Sequence, residues 1–165
     1  MIVVLMGVSG AGKTTIGLAL ADMLGWPFYD ADDFHPPENV AKMAAGIALT
    51  DDDRWPWLAR IAAEMRRVNE AHGNAILACS ALRQAYRDVL ATAGDVRFVH
   101  LAGDYDTIAA RLQQRRHKYM PATLLASQFA TLEPPAGTPI IDVRGSVEQQ
   151  LAAIRAALFD TAHDA

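Results

Sequence analysis

The stretch Gly7-Val-Ser-Gly-Ala-Gly12-Lys13-Thr14 fills every fixed position of the pattern G-x-x-x-x-G-K-[ST]. Glycines at that spacing let successive backbone N–H groups turn inward and cradle an anion at a helix N-terminus. Lys13 is then placed to reach the β- and γ-phosphates, and the Thr14 hydroxyl to ligate Mg²⁺. Gly7, Ser9, Gly10, Ala11, Gly12, Lys13, Thr14 and Thr15 are the candidate nucleotide-binding residues. This motif specifies a nucleoside triphosphate but leaves the reaction open. No Asn-Lys-x-Asp segment for reading guanine occurs in the chain. Its third apolar run ends in Cys79-Ser80 instead of the acidic pair expected of a motor or assembly ATPase. A small kinase fits better, because it combines such a loop with a short acceptor-binding region and a basic lid.

The segment Asp30-Ala-Asp32-Asp33-Phe-His35-Pro36 follows an apolar run at the place where open α/β sheets hold their ligands. Asp30, with Thr14, is the candidate Mg²⁺ holder. Asp32 is the candidate for orienting an acceptor hydroxyl and receiving its proton. His35 joins it as a candidate acceptor contact. Asp51-Asp-Asp53 reads as a charge cluster at a helix N-terminus, favoured by the helix dipole. Arg54, next in line, carries a fork suited to an acceptor carboxylate. Arg111, Arg115, Arg116 and Lys118 gather late in an otherwise acidic chain, with Arg111 and Arg115 one helical turn apart. Cations there would neutralise charge spreading over a transferred phosphoryl group, so Arg115 joins Lys13 and Asp32 as a candidate catalytic residue. Tyr119-Met-Pro121 breaks the pattern and supplies a hinge, so residues 111–125 read as a mobile lid that excludes water.

The elements that must position these groups alternate along the chain. Ile2–Met6 is a short apolar run suited to a strand buried on both faces. Ile16, Leu20, Met23 and Leu24 form the stripe of a helix, and residues 27–30 read as a second strand. Thr50 with Asp53 opens a helix bearing Leu58, Ile61, Met65 and Val68 on one face. Further strands are expected at 75–79, 96–101 and 138–143. The helices between them are expected near 83–93 and 104–115, and a last one, capped by Ser146 and Gln149, runs to about Phe159. Five strands separated by helices give a three-layer α/β sandwich on a parallel sheet. Residues 31–49 and 116–138 show no clear period. Loops of that length in a compact domain usually serve function. One domain over 1–165 suffices, with an acceptor segment at about 31–60. The three tryptophans and Cys79 read chiefly as packing.

Composition narrows the class. The chain has 165 residues, 15 Lys+Arg against 19 Asp+Glu, a net charge of −4 and 52% hydrophobic residues. A sizeable core is available and disorder is excluded. A single cysteine rules out a disulfide framework or a cysteine metal cluster. Mild acidity argues against a nucleic-acid or anionic-membrane partner. The apolar start lacks a basic flank and runs straight into the glycine loop, so it reads as a strand and not as a leader. A cytoplasmic location is expected.

Beyond single motifs, the chain resembles the short bacterial-type gluconokinases across roughly residues 3–160. The likeness rests on the phosphate loop, the segments 30–36, 39–46 and 49–58, Cys79-Ser-Ala-Leu82 with Tyr86-Arg-Asp88, and Ser127-Gln-Phe-Ala-Thr-Leu-Glu133. The resemblance implies the P-loop kinase fold of adenylate and shikimate kinases, strand order 2-3-1-4-5, and ATP-dependent conversion of D-gluconate to 6-phospho-D-gluconate. It implies that Asp32 meets the acceptor hydroxyl, that Arg54, Ser80, Arg83 and Arg87 bind the sugar acid, and that Arg111 meets adenine and phosphates. It leaves room for a homodimer. Where many members read Gly-His-Phe-Met, this chain has His117-Lys-Tyr-Met120. Arg83 stands where some members carry lysine. A kinase for shikimate or another hydroxy acid is the nearest alternative, although a triple glycine after the third strand is replaced here by Ser80-Ala-Leu82. A protein using ATP only as a conformational switch is the alternative of another class. It would need neither the acidic acceptor segment nor a lid.

Overall fold

The computed structural model describes residues 1–114 and 122–160. Five parallel strands, β1 (Ile2–Met6), β2 (Phe28–Asp30), β3 (Ala75–Ala78), β4 (Val96–Ala102) and β5 (Ile140–Asp142), form one sheet in the order β2-β3-β1-β4-β5. Alternate residues of β1 separate the two cores. Val3 and Leu5 pack with Ile16, Leu20, Ile108, Leu125 and Ile154 on one side of the sheet. Ile2, Val4 and Met6 pack on the other with Trp57, Leu58, Ile61, Met65 and Leu90. All five β1 residues are buried, as a strand with helices on both faces requires. The expected three-layer sandwich and strand order are both present.

Helices α1 (Lys13–Leu24), α5 (Tyr105–Gln114), α6 (Ala122–Thr131) and α7 (Val147–Phe159) contribute to the first core. Helices α3 (Asp51–Glu70) and α4 (Gln84–Ala91) contribute to the second. Two capping boxes sit where the sequence places them. Thr50 Oγ1 accepts from Asp53 N–H while the Asp53 carboxylate accepts from Thr50 N–H, and Ser146 and Gln149 repeat the arrangement at α7.

Two expectations need correction. The buried face of α1 is Ile16, Gly17, Leu20 and Ala21, whereas Met23 is exposed. Small residues bring this helix close to the sheet, and a Cβ on Gly17 would lie 2.4 Å from the Phe28 ring. The aperiodic stretch 31–49 holds a 3₁₀ turn (Ala31–Phe34) and a helix, α2 (Pro37–Ala44). Its apolar Val40 and Met43 face solvent, while its buried residue is the polar Asn39. A hydrophobic period therefore had nothing to follow. The second aperiodic stretch contains α6.

Arg87 ties the acceptor side of the sheet together. It is 3% exposed, and all five of its N–H groups are engaged. Nη1 donates to the carbonyls of Ala81 (2.8 Å) and Leu82 (3.2 Å), Nη2 to the Glu133 carbonyl (2.9 Å), and Nη2 and Nε to Gln84 Oε1. One of those carbonyls belongs to Ala81, a non-glycine residue at φ +45° and so in a strained conformation. Arg87→Met leaves several buried carbonyls without a donor, and we expect a loss of about 3 kcal/mol of unfolding free energy. Urea denaturation measures it; a change within about 0.5 kcal/mol would mean that those carbonyls find other donors.

Candidate functional site

The phosphate loop leaves β1 through Gly7 and enters α1 through Gly12. Gly7 has φ +146°, and a Cβ there would lie 2.6 Å from the Leu101 carbonyl oxygen, so only glycine passes. Gly12, at φ +95°, takes the left-handed position from which α1 starts. Gly10 has φ +84°, Ala11 is buried, and Thr14 and Thr15 are exposed in the first turn of α1. Lys13 Nζ donates to the carbonyls of Gly7 and Val8, both at 2.9 Å, so its charge rests over the mouth of the loop. Ser9 is gripped by Gln128 of α6. Its N–H donates to Gln128 Oε1 (2.7 Å), and its hydroxyl accepts from Gln128 Nε2 (3.1 Å).

A cavity of about 410 Å³ opens beside this loop. Ala11, Gly12 and Thr15 line it from the loop side, Arg111 from α5, and Gly145, Ser146, Val147 and Gln150 from the turn into α7. Arg111 Nη2 donates to the Val143 carbonyl, which holds the guanidinium against that turn.

The acidic segment forms the 3₁₀ turn directly after β2. The Asp30 carboxylate caps it by accepting from the Asp32 N–H at 2.9 Å. The Asp32 side chain is 81% exposed, and its Oδ1 lies 3.9 Å from His35 Nε2. His35 lies stacked on Trp57, with centroids 4.4 Å apart and planes at 12°, and its Nδ1 is 3.3 Å from Asn39 Nδ2. Burial is the largest influence on the His35 pKa, and with the Arg54 charge it outweighs Asp32 and lowers it, keeping the ring neutral at pH 7. Trp57 Nε1 donates to the Ala31 carbonyl at 2.7 Å, so this tryptophan fastens the turn as well as filling the core.

Across from the turn, Asp51 organises the starts of α3 and α4. Its carboxylate accepts from the Tyr86 hydroxyl, from Arg54 Nη1 (3.1 Å) and from Arg83 Nη1 (3.0 Å). The Tyr86 hydrogen bond, then Arg83 and Arg54, hold the Asp51 carboxyl below its ordinary range. Two guanidiniums that the sequence singles out therefore converge on one carboxylate. Ser80 is partly exposed at the end of β3, and its carbonyl accepts from Gly7 N–H (3.2 Å). Arg87, expected beside them as a sugar-acid contact, lies in the interior with every N–H occupied, as described above. Arg115, Arg116, Lys118 and the hinge lie outside the described residues, and with them most of the expected lid.

Charges from three elements act on Cys79, at the end of β3. Burial pushes its thiol up to about 12; Lys13 opposes this, while Asp32 and Asp30 add to it. All three charged groups thus lie at one end of the sheet. Among the described residues, no group of three or more His, Cys, Asp or Glu side chains could hold a metal ion. Asp30 and Thr14 offer hard oxygen donors, which suit a cation that keeps most of its ligands as phosphate oxygens and water.

A family model described as shikimate kinase matches residues 9–131. The gluconokinase of Gluconobacter oxydans (strain 621H) is 49% identical over 146 residues, covering 86% of this chain and 81% of that protein. The thermosensitive gluconokinase of Escherichia coli (strain K12) is 43% identical, covering 90% and 80%. The chain belongs to the gluconokinase family. The crystal structure of a gluconokinase from Sinorhizobium meliloti 1021 matches with a TM-score of 0.87 at 41% identity, covering 97% of this chain and 92% of that one. As a gluconokinase-family kinase, the chain uses ATP. Among the described residues, no helix is long and apolar enough to cross a membrane.

Several residues escaped the sequence reading: Asp51 and Tyr86 as a hub, Asn39 and Trp57 behind the acidic turn, and Gln128 at the phosphate loop. All five stand inside the segments that carry the gluconokinase likeness, which was the available signal. Lys42 is another. Its Nζ donates to both Asp53 carboxylate oxygens at 2.8 Å and, with the Thr50 hydrogen bonds, lowers the Asp53 pKa to about 2. A folded pKa below the unfolded one stabilises the protein above about pH 4, and that stabilisation is lost as pH falls toward 2. In Lys42→Met the Asp53 titration followed by NMR should move up toward 3.8, and acid unfolding should begin at higher pH. A midpoint still near 2 would assign the shift to Thr50 alone.

Proposed function

We infer that the protein transfers the γ-phosphoryl group of ATP to the 6-hydroxyl of D-gluconate, giving 6-phospho-D-gluconate and ADP. What carries this reading is the convergence of Arg54 and Arg83 on a single carboxylate, facing the Asp30–Asp32 turn across the end of the sheet that bears the phosphate loop. Two forked cations suit a sugar acid, and identity to gluconokinases along most of the chain supports gluconate as that acid.

In this reading the loop amides from Gly7 to Thr15 hold the phosphates, and the base enters the cavity beneath Arg111. Lys13 exchanges the carbonyls of Gly7 and Val8 for the β- and γ-phosphates, where its charge follows the charge that develops in transfer. Asp32 orients the 6-hydroxyl and takes its proton as the new oxygen–phosphorus bond forms and the bond to the ADP oxygen breaks. Neutral His35, propped on Trp57, bounds the acceptor pocket. Arg54, Ser80 and Arg83 hold the carboxylate end and hydroxyls of gluconate. Arg87 acts one step back, by fixing the 81–84 backbone. Thr14 and Asp30 would hold Mg²⁺, which when bound neutralises phosphate charge. Arg115, on the lid at 111–125, completes the cationic surround, and the acceptor segment spans about 31–60 within one domain. The same reading takes a cytoplasmic location from the composition and leaves room for a homodimer.

A coupled ADP-release assay over gluconate, shikimate and nucleoside monophosphates should respond to gluconate. Silence there with a signal for shikimate would move the chain to the sibling activity, and ATP binding without turnover on any acceptor would favour a switch. Lys13→Ala should lower kcat by about a hundredfold or more. Asp32→Asn should lower kcat by about 10²–10⁴-fold while ATP affinity stays within about twofold. An unchanged kcat would remove Asp32 from the proton transfer.

A further inference from the structure

The peptide unit joining Val8 to Ser9 in the phosphate loop is held from both sides. Its carbonyl accepts from Lys13 Nζ at 2.9 Å and from the Ala11 N–H at 3.2 Å. Its N–H points the opposite way, as a trans peptide requires, and donates to Gln128 Oε1 at 2.7 Å. The same side-chain amide donates through Nε2 to the Ser9 hydroxyl at 3.1 Å. A backbone N–H can only donate, so this pair of bonds fixes which way the Gln128 amide points. The grip is not local. Gln128 lies 119 residues away in sequence, on a helix fastened to the first core by Leu125 and Phe129.

The two sides have different fates when phosphates arrive. Lys13 and the Ala11 N–H are groups that a phosphate loop turns toward its ligand. As they do so, the Val8 carbonyl gives up both of these donors at the moment when the loop must hold its shape. Gly7 at φ +146° and Gly10 at φ +84° flank the dipeptide, and glycines on either side leave such a peptide free to rotate. Gln128 acts on the opposite face of the peptide from Lys13, and neither of its two bonds uses a group recruited from the carbonyl side. Its hold can therefore persist while the other is released.

We propose that Gln128 is a positioning residue for phosphoryl transfer, keeping the Val8–Ser9 peptide in place while Lys13 serves the phosphates. This rests on the reading of residues 7–15 as the nucleotide loop. Gln128 takes part in no bond change and acts through Ser9. Its contribution falls on the transfer step, because a shift of about 1 Å in a positioned group can cost about a hundredfold in rate. The opposite behaviour has a distinct signature: a Gln128 oxygen that merely fills in for phosphate would leave Ser9 when nucleotide binds.

Amide exchange followed by NMR on the full chain, with and without the β,γ-imido analogue of ATP, tests this in the absence of an acceptor. In wild type the Gly12 and Thr14 amides should shift on binding, while protection of the Ser9 amide stays within about threefold. Gln128→Met keeps the side-chain length and lacks both hydrogen bonds. Its Ser9 amide should exchange about tenfold or more faster in the complex. At saturating ATP its kcat should fall about tenfold or more, with the KM for gluconate within about threefold. A merely structural role would lower the melting temperature and leave kcat per folded molecule unchanged, and that result overturns the proposal. Loss of Ser9 protection in wild type when the analogue binds overturns it as well, whether or not the methionine variant folds. Gly12 and Thr14 amides that ignore the analogue would remove the nucleotide loop itself, a failure of the underlying reading that is told apart from a failure at Ser9.

Discussion

A single backbone approach governs the molecule: β1 must end under the Leu101 carbonyl of β4, with room for no more than a hydrogen on Gly7. On the other flank the Gly7 N–H donates to the Ser80 carbonyl beyond β3. The phosphate loop is thereby wedged between the ends of its two neighbouring strands, and its amides are oriented before any ligand arrives. This is also where the sheet order reverses, with β3 on one side of β1 and β4 on the other. Open α/β sheets form their ligand crevice at such a point. The sheet order places the acidic turn after β2 on one side of the loop and the Arg111 wall after β4 on the other.

The donor and acceptor halves are then joined by one stretch of chain. At its start, Gln128 of α6 holds Ser9 by both amide atoms. At its end, the Glu133 carboxylate accepts from the Gln84 N–H at the start of α4, and the Glu133 carbonyl receives Arg87. Phosphate loop and acceptor loop thus share a strap six residues long, Gln128 to Glu133. Backbone strain at Ala81 is sustained because Arg87 and this strap hold the chain on either side of it.

The parts of the site that were legible in the sequence are those where chemistry dictates residue type and spacing. A backbone cradle needs glycine at fixed intervals, so the phosphate loop can be read from eight letters. Helix caps are legible for the same reason: Thr50 with Asp53 and Ser146 with Gln149 satisfy orphan N–H groups whatever the fold. Side chains whose role depends on what surrounds them were not legible. Arg87 and Arg83 are both arginines one helical turn apart in sequence, yet one is sealed into the interior and the other reaches Asp51. Gln128 has the makeup of any helical surface residue, and only the fold sets its amide against the N–H and hydroxyl of Ser9. α2 is hidden because its buried residue is Asn39, which donates to the Asp53 carbonyl (2.9 Å) and bonds His35 instead of joining an apolar stripe.

The acidic surplus of the chain gains its meaning from which carboxylates are already engaged. Asp51 is taken up by Tyr86, Arg54 and Arg83, and Asp53 by Lys42 and the α3 cap. Both are held ionised by those partners, which leaves them poor proton acceptors. Asp30 turns one oxygen inward to cap its own 3₁₀ turn. Asp32 differs from all of these. Its carboxylate stands open to solvent at the end of the sheet, 3.9 Å from the uncharged ring of His35. A base for a sugar hydroxyl has to be free to receive a proton and fixed enough to aim at it. The backbone of the 3₁₀ turn, pinned by Asp30 and by the Trp57 bond to Ala31, supplies the second condition without consuming the first.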